Sequence, residues 1–163
     1  MKIIRTATAI ALAMALVAAP ALAGTTTWPS AKVSVDTPTG WTATIKGNEV
    51  DLAAPKGDIA VVFVTVPAGA VKDAGAAVGR QLSKSVDNVT VKNNKPVTIN
   101  GMSGAMVDGT GSIKGTPVVW MVLILDTPAT DVDMMSITIA ADATVSAHKA
   151  DLDFIFAHLK PTA

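Results

Sequence analysis

From position 32 onward, apolar and polar residues alternate in short runs, which is typical of antiparallel strands with one buried face. The first of these runs are KVSVD, which starts at residue 32, and WTATI, which starts at residue 41. Gly47 and Asn48 follow, and both residue types accept the positive φ of a two-residue hairpin turn. The denser run DIAVVFVTV, residues 58–66, predicts a strand that is covered on both faces. The pattern therefore predicts a sheet built mainly from antiparallel strands.

In two places the apolar spacing changes to three and four residues, which predicts amphipathic helices. The first predicted helix covers about 71–86 and contains Gly75 and Gly79, each of which lowers helix stability by roughly 1 kcal/mol relative to alanine. Glycine inside a helix is typical of close approach to a neighbour, so we expect this helix to lie on the sheet. The second predicted helix covers about 144–159, with Thr144 as its N-cap.

The stretch GTGSIKGTPVVWMVLILDTP, residues 109–128, combines glycines around a lysine with eight consecutive apolar residues. A phosphate-binding loop would need a strand before it and a helix after it. Because Pro117 has no N–H and the two valines after it favour an extended chain, no helix is expected there. The apolar run is also too short to cross a membrane. The stretch therefore predicts a hairpin with residues 102–113 and 117–125 as strands and Lys114–Gly115 in the turn.

The N-terminus has the features of a secretory signal peptide over residues 1–23. Lys2 and Arg5 precede an apolar stretch at 9–19, and Ala-Leu-Ala at 21–23 places small residues where a signal peptidase reads them. We therefore expect cleavage at the end of this tripeptide, after Ala23. At about 1.5 Å rise per residue, the apolar stretch is shorter than the roughly 30 Å hydrocarbon core, so no stable membrane anchor is expected after cleavage.

Cleavage would leave 140 of the 163 residues, which is enough for one domain. We expect residues 24–31 to be a flexible polar lead-in and residues 32–163 to form that single domain. The whole chain has 13 basic and 13 acidic residues, so loss of Lys2 and Arg5 leaves 11 basic and 13 acidic residues and a net charge of −2. Without a basic cluster, the mature chain is not expected to bind nucleic acid. The absence of cysteine excludes disulfides and a lipid-bearing cysteine, and the location predicted is the bacterial periplasm, or secretion.

Polar side chains that could carry chemistry do not form a complete motif. His148 and His158 lie ten residues apart on the second predicted helix, so they point to different faces and would not share a metal ion. Ser103 lies in the GMSG run at 101–104, which lacks the full pattern of a hydrolase nucleophile elbow. The sequence therefore predicts no catalytic residue and no cofactor.

Oxygen and sulfur ligands for a metal ion are present but are not arranged in a known pattern. Asp126, Asp131 and Asp133 lie in or beside a predicted loop, without the spacing of a calcium-binding loop, so solvated carboxylates are expected. Thioether sulfurs can bind copper(I), yet methionine is also a common filler of cores, and we favour core packing. The methionines concerned are Met102, Met106, Met121, Met134 and Met135.

Phe154 and Trp28 are the candidates for an interaction surface. Phe154 points away from the apolar stripe of the second predicted helix, toward solvent. Trp28 lies in the predicted lead-in. Either aromatic residue could mark a surface for a partner. Alternatively, the lead-in folds back so that the two side chains cover each other, and the sequence does not decide between these interpretations.

The order of these elements resembles the PsbP-like family of α/β/α domains, which includes DcrB-like and LpqN-like exported bacterial proteins. The matching segments are VSVDTPTGW from residue 33, the DIAVVFVTV strand, the helix at 71–86, the glycine-marked strands from residue 97 and the closing helix. The resemblance implies an α+β fold, with two main helices packed on an antiparallel sheet. It also implies a non-catalytic accessory or binding role.

We therefore expect an exported, non-catalytic periplasmic accessory or binding protein. A sheet face, a helix groove or the Phe154 surface would bind a protein or a small apolar ligand. The alternative is a small periplasmic hydrolase acting through Ser103, or a metal-handling protein that uses its aspartates or methionines. Saturable, tight binding of copper(I) or calcium would favour this alternative.

Overall fold

The computed structural model describes residues 24–162, and these residues form two antiparallel sheets and three α-helices. The strands are β1 (Thr25–Trp28), β2 (Val33–Asp36), β3 (Thr42–Lys46), β4 (Glu49–Ala53), β5 (Ala60–Pro67), β6 (Asp87–Ile99), β7 (Met102–Ile113), β8 (Thr116–Asp126), β9 (Val132–Ala140) and β10 (Leu159–Pro161). The helices are α1 (Ala74–Leu82), α2 (Asp142–Ala147) and α3 (Lys149–Ala157), and a 3₁₀ turn at Ala70–Asp73 precedes α1. The predicted signal peptide lies outside the described residues.

Seven strands form the main sheet in the order β3-β4-β5-β9-β8-β7-β6, and a small sheet has the order β1-β2-β10. All neighbouring strands pair antiparallel, as predicted. The predicted hairpin from residue 102 to residue 125 is confirmed, because Ile113 faces Thr116 across the β7–β8 turn. Lys114 and Gly115 form this turn with φ of 50° and 82°, the two positive values of a type I′ turn.

The two faces of the main sheet carry separate apolar cores. Leu123 and Leu125 of β8 point to one face, which we call the α3 face, where they join the core cluster that contains side chains of α3 and the small sheet. Val122 and Ile124 point to the opposite face, the α1 face, and join the cluster that contains the buried side chains of α1. All four β8 side chains are fully buried, so this central strand is covered on both sides.

The two helical regions differ from the predicted boundaries. The predicted helix at 144–159 is wrong as a single helix, because His148 separates α2 from α3 and Leu159 begins β10. Leu159 suits the helical spacing, but it is buried by pairing with β2 instead. Thr144 lies inside α2, and Ala141 is the N-cap residue. The predicted helix at 71–86 is likewise shorter, since α1 covers only part of it.

The expectation of a flexible lead-in at residues 24–31 is wrong. Four of these residues form β1, which pairs with β2 from Thr25 opposite Asp36 to Trp28 opposite Val33. Backbone hydrogen bonds to β2 stabilise this strand, so its run of three threonines forms a strand although apolar and polar residues do not alternate in it. Trp28 is 4% exposed and belongs to the core cluster on the α3 face, which ties the segment to the rest of the domain.

Within residues 24–162, no helix is both long enough and apolar enough to span a membrane.

Candidate functional site

A groove on the α3 face lies between the helices α2 and α3 and the strands β7 and β8. We call it the methionine groove, because Met106 of β7 and Met121 of β8 line it. It has a volume of about 420 Å³. Its other lining residues are Val145, Ser146, Lys149, Leu152, Asp153 and Phe156. The groove is thus mainly apolar, with a lysine and an aspartate from α3 among its lining residues.

The strand register places the two methionines side by side. Met106 faces Leu123 across the β7–β8 ladder and Met121 faces Asp108, so the methionines are diagonal neighbours on one sheet face. Both are only half-buried. By contrast, the other three methionines of the described chain are buried, as core packing predicts; they are Met102, Met134 and Met135. Met106 and Met121 also pack against the core cluster on the α3 face, but they remain partly exposed to the groove.

A second cavity of about 290 Å³ lies beside the groove, and Met121 and Val145 line both spaces. We call it the polar end of the groove. Its lining includes the charged side chains Lys92, Asp108 and Asp142. Asn93 donates a hydrogen bond from Nδ2 to Oδ2 of Asp108 over 2.8 Å, which occupies one carboxylate oxygen. Thr110, Val119 and Thr138 also line the polar end.

Thr138 of β9 is a buried polar residue in this lining. It lies between Val61 of β5 and Met121 of β8 in the sheet, and only 2% of it is exposed. Its Oγ1 atom is buried and has no hydrogen-bond partner among the described residues. A buried hydroxyl without a partner destabilises a folded protein by about 1–3 kcal/mol. Thr138 is therefore a buried hydroxyl beside the polar end, and its oxygen atom is not exposed to that cavity.

A polar cluster around His148 fixes the junction between α2 and α3. Nε2 of His148 lies 3.2 Å from Oδ1 of Asp58, and Nδ1 lies 3.5 Å from Oδ2 of Asp151. Trp41 donates from Nε1 to Asp151 over 3.1 Å. Desolvation raises the pKa of Asp58, but hydrogen bonding and charge from His148, with Lys56 nearby, lower the pKa below its ordinary value overall. The cluster thus holds the loop between β4 and β5 against the helices that wall the groove.

Ionisable groups elsewhere in the described chain do not converge on a reactive centre. Within residues 24–162, no three His, Asp or Glu side chains are arranged to hold a metal ion. Ser103 is exposed on β7. Asp126 and Asp131 are exposed, as expected for solvated acids, but Asp133 is 4% exposed and accepts a hydrogen bond from the Val71 N–H. The expectation that all three aspartates are solvated is therefore wrong for Asp133.

The two aromatic residues predicted to form an interaction surface occupy different environments. Phe154 is 37% exposed, and its ring stacks on His158 with the ring centres 4.1 Å apart. It does not line the methionine groove. Trp28 is buried in the core, which excludes the interpretation of its side chain as part of an interaction surface. The segment 24–31 does fold back onto the domain, as the second interpretation proposed. The ring that stacks on Phe154, however, is that of His158 and not that of Trp28.

Nothing in the sequence indicates that Thr138 or the methionine groove is part of a site. In the run SITIA, Thr138 looks like an outward polar position of a half-buried strand. In the structure, both faces of β9 are packed, because Met134 joins the core cluster on the α3 face and Met135 joins the one on the α1 face. The burial of this hydroxyl thus depends on tertiary packing rather than on the local sequence pattern.

Comparison with solved structures shows the fold of PsbP-like proteins. Cyanobacterial PsbP (CyanoP) from Synechocystis has a TM-score of 0.62 at 11% identity, and the match covers 91% of this chain and 97% of that chain. LpqN from Mycobacterium tuberculosis, which is involved in cell envelope biogenesis, has a TM-score of 0.60 at 12% identity, with 80% and 83% covered. The Ran-binding protein Mog1p from Saccharomyces cerevisiae has a TM-score of 0.56 at 10% identity, with 86% and 95% covered.

No protein-family model matches the sequence, and no curated protein matches it significantly. At identities of 10–12%, the similarity to these three solved structures shows the fold alone. The resemblance to the PsbP-like fold is therefore confirmed.

Proposed function

We propose that this chain is an exported, non-catalytic accessory protein that binds a small apolar ligand in the methionine groove. The observation that carries the proposal is the pair of half-buried methionines, Met106 and Met121, side by side on the floor of an open groove. Apolar side chains that stay half-exposed beside buried ones mark a surface that a ligand can cover.

The size and lining of the groove support small-molecule binding. Ligand sites are typically concave, mainly apolar and about 300–1,000 Å³ in volume, and the groove has about 420 Å³. Methionine side chains are flexible and polarisable, so they adapt to ligands of different shape. Leu152 and Phe156 of α3 supply a rigid apolar wall opposite them. His148, directly before α3, contacts Asp58 and Asp151, which ties this wall to the loop between β4 and β5.

Export and an envelope location are part of the same proposal. The signal-peptide features at residues 1–23 support export. Similarity in fold to LpqN, which is involved in cell envelope biogenesis, supports an accessory role in the envelope. In this proposal, α1 and the α2–α3 pair are the two helical layers that the PsbP-like resemblance implies.

Titration with the uncharged fluorescent probe N-phenylnaphthylamine tests the site. The protein from residue 24 onward is expected to bind the probe saturably. Met121→Glu, which places a charge on the groove floor, is expected to weaken binding at least about tenfold, because a carboxylate would lose hydration there. Ile45→Glu is the matched control, since Ile45 is 57% exposed on the distant strand β3; it should leave the affinity unchanged.

Two outcomes would contradict this function. Probe binding that is absent, or equal in wild type and Met121→Glu, would exclude the groove as an apolar site. Saturable copper(I) binding that Met121→Glu abolishes would instead support the metal-handling alternative, because it would show that the thioethers are ligands.

A further inference from the structure

We propose that two copies of this chain associate through β3, an edge strand of the main sheet, in a two-fold antiparallel pairing centred on Thr44. The pairing would join the two seven-stranded sheets into one sheet that runs through both copies. The surface lies outside the methionine groove, so the inference goes beyond the proposed function and does not depend on it.

The edge formed by β3 is regular and open. β3 is the first strand in the order of the main sheet, so it pairs with β4 on one side only. All five residues from Thr42 to Lys46 are exposed, and Ile45 is 57% exposed. The strand contains no proline and pairs with β4 without a shift in register. Such an edge presents free backbone groups to which another strand can bind.

The turn after β3 fixes which backbone groups face the open side. Lys46 faces Glu49 across the two-residue turn Gly47–Asn48, and Gly47 has the positive φ of 59° that the first position of a type II′ turn needs. The two residues that flank such a turn exchange both of their backbone hydrogen bonds, and bonded and non-bonded pairs alternate from there along the hairpin. Every second residue of β3, counted back from Lys46, therefore binds β4.

The remaining residues, Ala43 and Ile45, direct their N–H and C=O groups to the open edge. These groups make no backbone hydrogen bond outside the strand ladders in the part of the chain that the structure describes. If the two-fold axis passes through Thr44, Ala43 of each copy faces Ile45 of the other, and the two pairs form four backbone hydrogen bonds. A shift by one residue would place these groups opposite residues whose own groups already bind β4. The edge is thus complementary to itself.

The side chains of the paired strands are complementary as well. Ala43 and Ile45 lie on the α3 face, because they face Leu52 and Val50 of the core cluster on that face. In the dimer, Ile45 would lie between Val50 of its own chain and Ala43 of the second copy, which covers its exposed side chain. The apolar rows of the two α3-face cores would become continuous. This continuity favours a second copy over an extended peptide of another protein as the partner.

Charge does not oppose the pairing. Lys46 is the one charged residue of β3, and its Nζ lies 2.9 Å from Oδ2 of Asp51 in the same chain. In the two-fold pairing it would lie opposite the neutral Thr42 of the second copy, and Thr44 would face Thr44. No like charges are therefore directly opposite each other, an arrangement that would destabilise a strand pair.

The other edge of the main sheet, β6, has features that prevent such pairing. Its ladder with β7 contains two register shifts, and its sequence includes Lys92, Lys95 and Pro96. Bulges, lysine and proline are the means by which natural sheets protect an edge. With a single open edge, pairing about a two-fold axis closes at two copies, whereas pairing of β3 with β6 would continue into a filament.

Single cysteine variants test the register, because the natural sequence contains no cysteine. In the proposed dimer, the two copies of residue 44 form a non-hydrogen-bonded pair with Cα atoms about 4.5 Å apart, which lies within the range that a disulfide bridges. Thr44→Cys is therefore expected to give a disulfide-linked dimer on mild oxidation. Lys46→Cys is the matched control, since its two copies would lie about 13 Å apart along the strands and should not cross-link. No cross-linking of Thr44→Cys, or equal cross-linking of both variants, would overturn the proposed pairing.

Sedimentation velocity of the protein from residue 24 onward tests the association without cross-linking. Wild type is expected to form a dimer as its largest species, and the dimer should dissociate on dilution because two short strands bury little surface. Ile45→Lys is expected to raise the dissociation constant at least about tenfold, because the ammonium would lose hydration beside Ala43 of the second copy. Val91→Lys is the control, since Val91 is 52% exposed on β6, and it should leave the dimer unchanged.

Three results would contradict the inference. Wild type that stays monomeric up to about 1 mM would exclude a second copy as the partner of β3. Species larger than a dimer would exclude closure at two copies. A dimer that Val91→Lys weakens and Ile45→Lys does not would assign the contact to the other edge. Circular dichroism shows that each variant is folded before its association is compared.

Discussion

At the scale of single residues, Asp133 shows how one buried carboxylate can hold the beginning of a helical segment through its backbone. It accepts the Val71 N–H over 3.3 Å at the start of the 3₁₀ turn that leads into α1. Burial raises the pKa of Asp133, and nearby Asp126 raises it further. The backbone N–H groups of Val71, Ala70 and Gly69 act in the opposite direction but do not reverse the shift. The side chain of Asp133 therefore accepts hydrogen bonds from the backbone, while its burial disfavours the charged form of the carboxyl group.

Replacement of Asp133 should separate these two effects. Asp133→Ala is expected to destabilise the protein by about 1–3 kcal/mol, because backbone N–H groups would lose their acceptor. Asp133→Asn keeps an acceptor oxygen and should have a smaller effect. Because its pKa is raised, the folded protein binds a proton at Asp133 more tightly than the unfolded chain does. The stabilisation that comes from this protonation is fully present below pH 3.8 and is lost as pH rises through the pKa of the folded state. Urea unfolding of wild type and Asp133→Asn at a series of pH values measures this difference, and a difference that does not change with pH would contradict it.

At the scale of elements, the glycines of β7 and α1 have opposite roles. A Cβ atom at Gly109 of β7 would overlap the Thr90 carbonyl oxygen of β6 and the ring of Trp120, and this glycine therefore permits the close strand contact. A Cβ atom at Gly75 or Gly79 of α1 would meet nothing within 4 Å. The expectation that these helix glycines allow close packing on the sheet is therefore wrong.

Alanine substitution should reveal this contrast. Gly79→Ala is expected to stabilise the protein by about 0.5–1 kcal/mol, because alanine favours the helix and fills open space. Gly109→Ala is expected to destabilise it by about 1–3 kcal/mol or more, since the strands would have to move apart. Urea midpoints of the two variants and wild type provide the measurement. A loss of stability in Gly79→Ala would indicate a contact on α1 that this structure does not show.

The elements that could be predicted from the sequence were those that depend on residues adjacent in the chain. Asn100–Gly101 and Lys114–Gly115 adopt the positive φ angles that two-residue hairpins need, so their turns were visible from residue type. The strand beginning at Leu159 depends on pairing with β2, more than a hundred residues away along the chain. His148, at the junction of α2 and α3, contacts Asp58, which is 90 residues away. The groove and the buried hydroxyl of Thr138 depend on how distant strands are ordered. Such long-range contacts leave no periodic signal in one sequence.

At the scale of the whole molecule, the small sheet joins the two ends of the described chain. β2 pairs with β1 on one side and with β10 on the other. Leu159 faces Val35 in this sheet, and both side chains belong to the core cluster on the α3 face, together with Trp28. The N-terminal strand is therefore a structural part of the domain.

Loss of residues 24–31 should consequently unfold or strongly destabilise the protein. Trp28→Ala alone is expected to lower the free energy of unfolding by about 3–5 kcal/mol, as is usual when a buried tryptophan is truncated. Thr27→Ala, at an exposed position of the same strand, is the control and should change it by less than about 0.5 kcal/mol. Thermal unfolding followed by circular dichroism compares them. Wild-type stability in the chain that starts at Lys32 would show that β1 is dispensable.

The position of β2 between β1 and β10 also constrains the timing of folding. A chain that emerges gradually, from a ribosome or through a narrow channel, has β1 and β2 free long before Leu159 appears. The α3-face core then lacks its last strand, and closing such a long loop is slow compared with forming local hairpins. The α3-face core can therefore be completed only after Leu159 has become available to pair with β2.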